Sequence, residues 1–274
     1  MTLSQNFIKS NFLVSQLIEY SSLNKDDLVI EIGPGRGIIT KGLVQKVKEV
    51  IVVEKDEILY QRLIEESGQI SNLKIVNKDF LHWYLPNKPY KIFSNIPFSI
   101  TAEIVDKLLK AENKPLEIYL VIQTEAAEKY IGDLEFETQS SILAKIFYDV
   151  EIVGDLDRTA FTPKPQINIS FIKFTLKPDI NIDSSIYQQF RDFVIFGFNQ
   201  WKTDIFNAYK KVFSYQQFKL INKKLKINQL KPSQLTLNQW EDFFDIFQKF
   251  VPSSKKDIVL DFENKYLKKI RVQK

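Results

Sequence analysis

Four consecutive residues, Asn95-Ile-Pro-Phe98, combine hydrogen-bond acceptors with an aromatic ring. The side-chain carbonyl of Asn95 and the backbone carbonyl of Ile96 can accept both hydrogens of one exocyclic amine, such as that of adenine. Two such bonds draw the amine nitrogen toward a tetrahedral, nucleophilic geometry. Pro97 keeps Ile96 extended, which aims its carbonyl, and Phe98 offers a ring on which a base can stack. The motif therefore predicts a site that activates the amine of a nucleobase.

A glycine-rich segment, Glu31-Ile-Gly-Pro-Gly-Arg-Gly37, follows a short apolar run. Glycines let the backbone approach a ligand closely, and a helix that starts there offers free N–H groups. A dinucleotide-binding fingerprint would need its third glycine at the position of Ile38. The observed spacing instead looks like the S-adenosylmethionine loop of class I methyltransferases. It indicates S-adenosylmethionine as cofactor, with Gly33 and Gly35 in its binding site; a purely structural turn is the alternative.

Two acidic residues follow consecutive predicted strands. Glu54 ends the strand after the glycine loop, about 20 residues past the glycines, where a carboxylate can accept both hydroxyls of a ribose. Asp79 ends the next strand, where a carboxylate could accept a hydrogen bond from an adenine amine of the cofactor. Either acid could instead cap the helix that follows it. Their placement at one edge of the predicted sheet favours a binding role.

The composition restricts the chemistry and the partners. The chain has no cysteine and one histidine, His82, which excludes a thiolate nucleophile and a zinc site made of histidines, so we expect no metal. No apolar stretch reaches the roughly 20 residues of a membrane helix, and the start lacks a signal-peptide core, so we expect a cytoplasmic protein without membrane contact. The net charge is +4, yet the residues from Trp201 onward carry 16 Lys and Arg against 7 Asp and Glu. This asymmetry favours a polyanion-binding C-terminal part or a solvated, lysine-rich surface.

Apolar runs alternate with helical patterns up to Lys177-Pro178. This alternation predicts an α/β fold with a doubly wound, Rossmann-like sheet. Beyond that point the strand patterns disappear, so we expect one domain at residues 1–177 and a small all-α domain at residues 178–274. The expected strands are 28–33, 50–53, 73–76, 90–94, 117–122 and 168–176. The expected helices are 38–47, 56–66, 101–110, 185–198, 204–226 and 237–250.

Three segments of the chain resemble the Erm and KsgA family of rRNA adenine N6-methyltransferases. Ser4–Ile8 is similar to the family's opening Q-N-F-[LI] segment, and Tyr90–Phe98 is similar to the Erm form of the catalytic motif. Phe161–Asn168 is similar to the family's F-x-P-x-P-x-[VI] loop. The KsgA form typically has leucine where this chain has Ile96. The resemblance covers residues 4–176 and implies a class I methyltransferase fold, S-adenosylmethionine as cofactor and ribosomal RNA as partner, with 23S rRNA favoured over 16S rRNA.

The resemblance also implies roles for single residues. Asn6 and Ile8 would contact the methionine end of the cofactor, and Gly33 would contact it through its backbone. Glu54 would bind the ribose and Asp79 the adenine. Asn95 would face both the cofactor and the target amine, within the catalytic motif that it forms with Ile96, Pro97 and Phe98. Phe161 would face the flipped base from the side opposite Phe98. The product would be a mono- or dimethylated adenine in 23S rRNA, and the result resistance to macrolides and lincosamides.

The chain departs from the family pattern at several positions. Phe98 replaces the commoner tyrosine, Gln166 replaces a basic residue, and Phe196–Gln200 matches the Erm tail motif only at Asn199. Gln123–Lys129 is similar to the KsgA form. One alternative is therefore a KsgA-type 16S rRNA dimethyltransferase that acts in ribosome assembly. Others are a non-catalytic nucleic-acid-binding protein on the same fold and an enzyme that methylates adenine in DNA.

The predicted helix over residues 204–226 carries an apolar stripe and several lysines. Its apolar residues, which we expect to pack in a core, are Ile205, Tyr209, Val212 and Phe213. The lysines available to RNA phosphates are Lys210, Lys211, Lys219, Lys223 and Lys224. We therefore expect the helical domain to bind RNA.

Overall fold

Apolar runs in the first two thirds of the chain form the strands of one sheet. The computed structural model describes residues 6–133, 135–178, 182–201 and 204–272, so Ser4 and Gln5 of the opening segment lie outside the described residues. Strands such as Leu28–Ile32 are buried along their whole length, as expected for parallel strands covered on both faces. In chain order the strands are β1 Phe7–Ile8, β2 Leu28–Ile32, β3 Glu49–Glu54, β4 Leu73–Asn77, β5 Lys91–Asn95, β6 Glu117–Gln123, β7 Tyr148–Leu156, β8 Phe161–Thr162 and β9 Ile169–Leu176.

Seven of these strands form a sheet in the order β4-β3-β2-β5-β6-β9-β7. The strands from β4 to β6 are parallel, while β9 is antiparallel to both of its neighbours. The strand order reverses between β2 and β5, and the carboxyl ends of strands at such a point border a crevice that can bind ligands. A separate antiparallel ladder joins β1 to β8. The predicted doubly wound α/β sheet is confirmed.

Two of the helices that accompany the sheet begin at side-chain caps, and a third begins at the glycine loop. The hydroxyl of Ser10 accepts a hydrogen bond from the amide of Leu13, and Asp56 accepts from the amides of Ile58 and Leu59. Such caps satisfy N–H groups that the first helical turn leaves free. The helices are α1 Asn11–Tyr20, α2 Ile38–Lys46, α3 Glu57–Ser67, α4 Thr101–Lys110 and α5 Thr124–Ile131.

The chain divides into two compact units. The first comprises the residues up to 128 together with 148–178, and the second comprises 129–147 together with 179–274. The second unit thus includes a segment that the sequence-based division at residue 177 assigns to the first domain. This segment contains α6, Gln139–Lys145. It belongs to the second unit because the hydroxyl of Tyr187 donates to the carbonyl of Leu143 at 3.2 Å and the ring of Phe147 packs edge-on against Tyr187.

The second unit is helical around an aromatic core. Besides α6, its helices are α7 Ser184–Phe198, α8 Ile205–Tyr209, α9 Tyr215–Leu225, α10 Leu237–Phe250, α11 Ser253–Lys256 and α12 Phe262–Val272. The prediction of one helix over residues 204–226 is wrong, because the chain turns after Tyr209 and Ser214 caps a new helix. The core role predicted for Ile205, Tyr209, Val212 and Phe213 is confirmed, since all four are buried. Within the described ranges, no helix has both the length and the apolar character needed to cross a membrane.

Candidate active site

The glycine loop, residues 33–37, starts where β2 ends. The amide of Gly33 donates to the carbonyl of Val53 at 2.9 Å, which fixes the loop against β3. Gly33 has a φ of 61°, in the left-handed region that a side chain disfavours. Among the described residues, the atom nearest to a Cβ added at Gly33 would be Pro97 Cδ, at 4.0 Å. The loop therefore presents bare backbone to open space beside β5.

Phe7 covers the middle of this loop. A Cβ added at Gly35 would lie 2.5 Å from the Phe7 ring, and the φ of Gly35 is 57°. The guanidinium carbon of Arg36 lies 5.6 Å from the centroid of the same ring. Phe7 is held in place by the β1–β8 ladder, in which it pairs with Thr162. Glycine at position 35 is what leaves room for the ring.

Ser94 brings Asn95 next to the glycine loop. The Ser94 hydroxyl donates to the carbonyl of Ile32 at 2.5 Å and lies 3.2 Å from the amide of Ile32, from which it accepts. The side chain thus joins β2 to β5 beyond Ile30 and Ile92, the last paired residues of the two strands. As a result, Gly33 and Asn95 lie side by side at the carboxyl edge of the sheet.

The side-chain amide of Asn95 has a defined orientation. Its Nδ2 donates to the backbone carbonyl of Asn6 at 2.8 Å. Because a carbonyl can only accept, the amide nitrogen rather than the amide oxygen must face Asn6. Oδ1 is buried and has no hydrogen-bond partner within the described ranges of the chain. Buried acceptors are normally paired, so this oxygen is suited to a donor that a substrate supplies.

One cavity connects these features. The predicted site residues that line it are Asn6, Ile8, Gly33, Asn95, Ile96 and Pro97. Glu54 and Asp79 stand at the carboxyl ends of the neighbouring strands β3 and β4, where Glu54 is paired with Asn77. The structure thus brings the amide motif and the glycine loop to one edge of the sheet, with the two acids on the adjacent strands.

Glu31 is a buried carboxyl group that also lines the cavity. It is 1% exposed, and its Oε2 accepts a hydrogen bond from the Thr40 hydroxyl at 2.6 Å. Its Oε1 finds no partner among the residues that the structure describes. Burial, together with the nearby charge of Glu54, raises the pKa of Glu31 to about 8, while the Thr40 hydrogen bond opposes this rise. The group is therefore mostly a neutral acid at pH 7.

Glu54 has one engaged and one free carboxylate oxygen. The residue is 3% exposed, and its Oε1 accepts from the amide of Asp56 at 2.9 Å. In the described part of the chain, no donor reaches Oε2. Burial raises the pKa of Glu54, and the backbone hydrogen bond from Asp56 acts against that rise. The alternative that Glu54 caps α3 is wrong, because Asp56 does so.

Asp79 has partners for both of its oxygens. Oδ1 accepts from the amide of Leu81 at 2.9 Å, which caps the short turn Phe80–His82, and Oδ2 accepts from Lys55 Nζ at 2.7 Å. The hydrogen bond from Lys55 holds the pKa of Asp79 below its ordinary value. The capping role that the sequence left open for Asp79 is therefore present. A ligand amine would share this carboxylate with Lys55.

The two aromatic residues predicted to face a base differ in exposure. Phe98 is half-buried and begins the turn Phe98–Ile100, which follows Pro97. Phe161 is 1% exposed, pairs with Ile8 and belongs to the hydrophobic core. In this structure Phe161 supports β1 and offers no open face, and its contact with a base stays a prediction.

Six residues that line the cavity were not predicted as site residues: Phe7, Glu31, Pro34, Arg36, Ile38 and Ile39. Glu31 had a signal, since it is the only charged residue in the apolar run of β2, where a carboxylate is costly to bury. Arg36 is a cation inside a glycine-rich loop, which is also visible in the sequence. Phe7 also had a signal, its place in the Q-N-F-[LI] segment, but its contact with the glycine loop depends on the pairing of β1 with β8. Across the described residues, no group of three acidic or histidine side chains is arranged to hold a metal ion.

Comparisons with known proteins agree with this geometry. The model of the ribosomal RNA adenine dimethylase family matches residues 1–251. The chain is 28% identical to an rRNA adenine N-6-methyltransferase of Bacillus licheniformis over 92% of this chain and 88% of that protein. It is 29% identical to ribosomal RNA small subunit methyltransferase A of Mycoplasma mobile over 89% of this chain and 96% of that protein. The crystal structure of the 23S rRNA methyltransferase ErmE has the same fold, with a TM-score of 0.75, 23% identity, and coverage of 89% of this chain and 100% of that one.

Proposed function

Because the chain belongs to the ribosomal RNA adenine dimethylase family, we propose that it methylates N6 of one adenine in 23S rRNA. Methylation of an rRNA adenine is the reaction of this family, and S-adenosylmethionine supplies the electrophilic methyl group when it is bound. The specific proposal is the large-subunit RNA, with resistance to macrolides and lincosamides as the consequence. The enzyme would act in the cytoplasm, where ribosomes are found.

Sequence segments support 23S rRNA over 16S rRNA. Tyr90–Phe98 and Phe161–Asn168 resemble the Erm forms of their motifs, and Ile96 stands where the KsgA form typically has leucine. The second candidate is 16S rRNA, which the KsgA-like segment Gln123–Lys129 favours. The named relatives include both an rRNA adenine N-6-methyltransferase and small-subunit methyltransferases. The chemistry at the amine is the same in both cases.

The observation that carries the proposed chemistry is the orientation of the Asn95 amide. With Nδ2 bound to Asn6, the free Oδ1 can accept one hydrogen of adenine N6, and the carbonyl of Ile96 can accept the other. These bonds localise the lone pair on N6 and stabilise the positive charge that develops there during attack. The mechanism needs no histidine or cysteine, in line with the composition.

The residues around the cavity fit S-adenosylmethionine. The free Oε2 of Glu54 is a buried acceptor that ribose hydroxyls can satisfy, and the bare backbone at Gly33 leaves space for a ligand. We assign Glu54 to the ribose and Asp79 to the adenine of the cofactor. The methionine end would contact the opening segment through Asn6 and Ile8, and the glycine loop would contact the cofactor through Gly33 and Gly35.

The target base and its RNA need further contacts. Phe98 lies three residues after Asn95 and is half-buried, so a flipped adenine could stack on its accessible face. Phe161 would complete the pocket once the core around it opens. We propose that residues 178–274 bind the phosphates of the surrounding RNA. The lysines on α9 and in the turn before it are exposed.

The direct test uses the purified protein with radiolabelled S-adenosylmethionine. It is incubated separately with 23S and 16S rRNA, each as naked RNA and as ribosomal subunits, and the modified base is mapped by primer extension. We expect label at a single adenine of 23S rRNA. Label confined to 16S rRNA would contradict the choice of subunit, and absence of label from all four substrates would contradict the reaction.

Asn95→Ala is the matched inactive variant. It should lower kcat by about a hundredfold or more, the loss typical of one group that stabilises developing charge, while RNA affinity stays nearly unchanged. If Asn95→Ala keeps more than about a tenth of the wild-type turnover, the role assigned to Asn95 is wrong.

A cellular test follows from the proposed target. N6 methyl groups remove a hydrogen-bond donor and add bulk where macrolides pack, so expression in a macrolide-sensitive bacterium should raise resistance. The Asn95→Ala variant should not. The opposite outcome is unchanged drug sensitivity together with restored 16S methylation in a host that lacks its small-subunit dimethyltransferase.

A further inference from the structure

We infer that the backbone carbonyl of Asn6 is a positioning group for methyl transfer, because it fixes the rotation of the Asn95 amide that leaves Oδ1 free for the target amine. The resemblance described above gives Asn6 a contact with the cofactor, whereas this role acts on the side of the nucleobase. It rests on the function proposed for Asn95 and does not depend on which rRNA is the substrate.

An asparagine amide has two rotations, related by a half-turn, that occupy nearly the same volume. Packing therefore distinguishes them poorly, and hydrogen bonds decide which one is populated. In the observed rotation, Asn95 Nδ2 donates to the Asn6 carbonyl at 2.8 Å. In the other, Oδ1 would face that carbonyl, acceptor against acceptor, and Nδ2 would point a donor at the donor hydrogens of N6. The second rotation is thus unfavourable at Asn6 and inactive toward the amine.

The carbonyl of Asn6 can set this rotation because the segment that carries it is anchored. Ile8 is 4% exposed and pairs with Phe161, and the amide of Lys9 donates to the carbonyl of Ala160 at 2.8 Å. Between these anchors and Asn6, the ring of Phe7 packs on Gly35. One short segment therefore contacts the glycine loop through a side chain and the catalytic amide through its backbone.

The test compares two chains that both have methionine at position 7. In the truncated chain this methionine is the first residue, so the Asn6 carbonyl is absent. The control is the full chain with Phe7→Met. Both are made with Asn95 and with Asn95→Asp. A carboxylate has two equivalent oxygens and needs no orienting partner, so only the asparagine should depend on the Asn6 carbonyl. The kcat is measured at saturating cofactor on mixed 16S and 23S rRNA, so that a weakened cofactor contact appears in KM.

In the Asn95 chains, truncation should lower kcat about three- to tenfold, the range that one hydrogen bond between neutral groups contributes. In the Asn95→Asp chains, truncation should leave kcat unchanged or raise it, because it removes an acceptor that faces the carboxylate. An equal loss in both backgrounds would mean that the segment is merely structural and would overturn the inference. So would an unchanged kcat in the truncated Asn95 chain.

A second measurement does not require activity. In protein labelled with ¹⁵N-asparagine, the Asn95 side-chain signal is the one that Asn95→Asp removes. Its bound proton should exchange slowly in the Phe7→Met chain and rapidly in the truncated chain. Equal exchange in the two chains would overturn the inference even if Asn95→Asp is inactive. If every chain fails to methylate any rRNA, the proposed function fails, while this exchange measurement still decides whether Asn6 orients Asn95.

Discussion

Glu31→Gln should stabilise the protein at pH values above about 8 and should change its stability little near the ordinary pKa of a carboxyl group. The reason is the burial of this carboxyl group beside the cavity. Oε2 has the Thr40 hydroxyl as its donor, but Oε1 has none among the described residues. Glutamine has nearly the same shape, can accept the same hydrogen bond from Thr40, and cannot ionise.

The direction and the size of this change in stability follow from the pKa of Glu31. Burial raises the pKa of Glu31 from 4.5 to about 8, so the folded chain holds this proton over a pH range in which the unfolded chain has lost it. The stability that Glu31 contributes is complete below pH 4.5 and is lost as the pH rises through about 8. At about 1.4 kcal/mol per pKa unit, the loss is on the order of 5 kcal/mol. Glutamine avoids this loss.

Urea unfolding of both chains at several pH values without cofactor measures the difference in free energy of unfolding. All other titrating groups are shared and cancel in that difference. We expect it to grow steadily in favour of Glu31→Gln between about pH 5 and pH 8. In a chain that keeps Glu31, the variant Thr40→Val should lose this stability at a higher pH than the wild type does, because the Thr40 hydrogen bond lowers the pKa of Glu31. A difference that stays constant over this range would refute the assignment of a buried, neutral Glu31.

Three further predictions concern the ligands. Glu54→Gln should weaken S-adenosylmethionine binding about ten- to a hundredfold, the range for a hydrogen bond to a charged acceptor. Calorimetry checks this, and unchanged affinity in a folded variant would reject the ribose contact. Phe98→Ala should lower kcat/KM by the equivalent of about 1–3 kcal/mol of base stacking, whereas Phe98→Tyr should be tolerated; equal losses in the two variants would exclude stacking. Neutralising the exposed lysines Lys210, Lys211 and Lys223 should flatten the plot of log K for RNA against log salt by roughly 0.7–0.9 for each phosphate that the protein no longer neutralises. The matched control neutralises Lys25, Lys46 and Lys48 at the amino edge of the sheet, and equal slopes in the two triple variants would show that the first three only solvate the surface.

The sheet could be predicted because most of its parallel strands are short, mostly apolar segments. β2 and β3 are buried along nearly their whole length, so their sequences contain little besides apolar residues. β7 was not predicted, although Tyr148–Leu156 alternates between more buried and more exposed residues as an edge strand does. The helix α1 was also missed, although Ser10 supplies a cap before the apolar positions Val14, Leu17 and Ile18. In both cases the signal was present in the sequence.

Other features depend on contacts between distant residues, which no local pattern contains. The amide orientation of Asn95 depends on Asn6, 89 positions earlier in the chain. The burial of Phe161 depends on its pairing with Ile8, although its motif indicates only an aromatic ring near the site. Likewise, Lys55 binds Asp79 because two parallel strands bring their ends together. The sequence therefore indicates which groups are present, while the register of strands decides which of their atoms are free.

The second unit is built from two separate parts of the chain, and this affects its folding during synthesis on the ribosome. Segment 129–147 emerges early, but Leu143 meets Tyr187 44 positions later and Gln139 meets Asn199 60 positions later. At roughly 5–20 residues per second, this delay lasts about 2–12 seconds. During it, Ile142 and Phe147, which are buried in the finished protein, lack the part of their unit that follows residue 178. The nascent chain should therefore need protection by chaperones just after its first 147 residues have emerged, and the second unit should complete its folding only once α12, which ends at Val272, has left the ribosome.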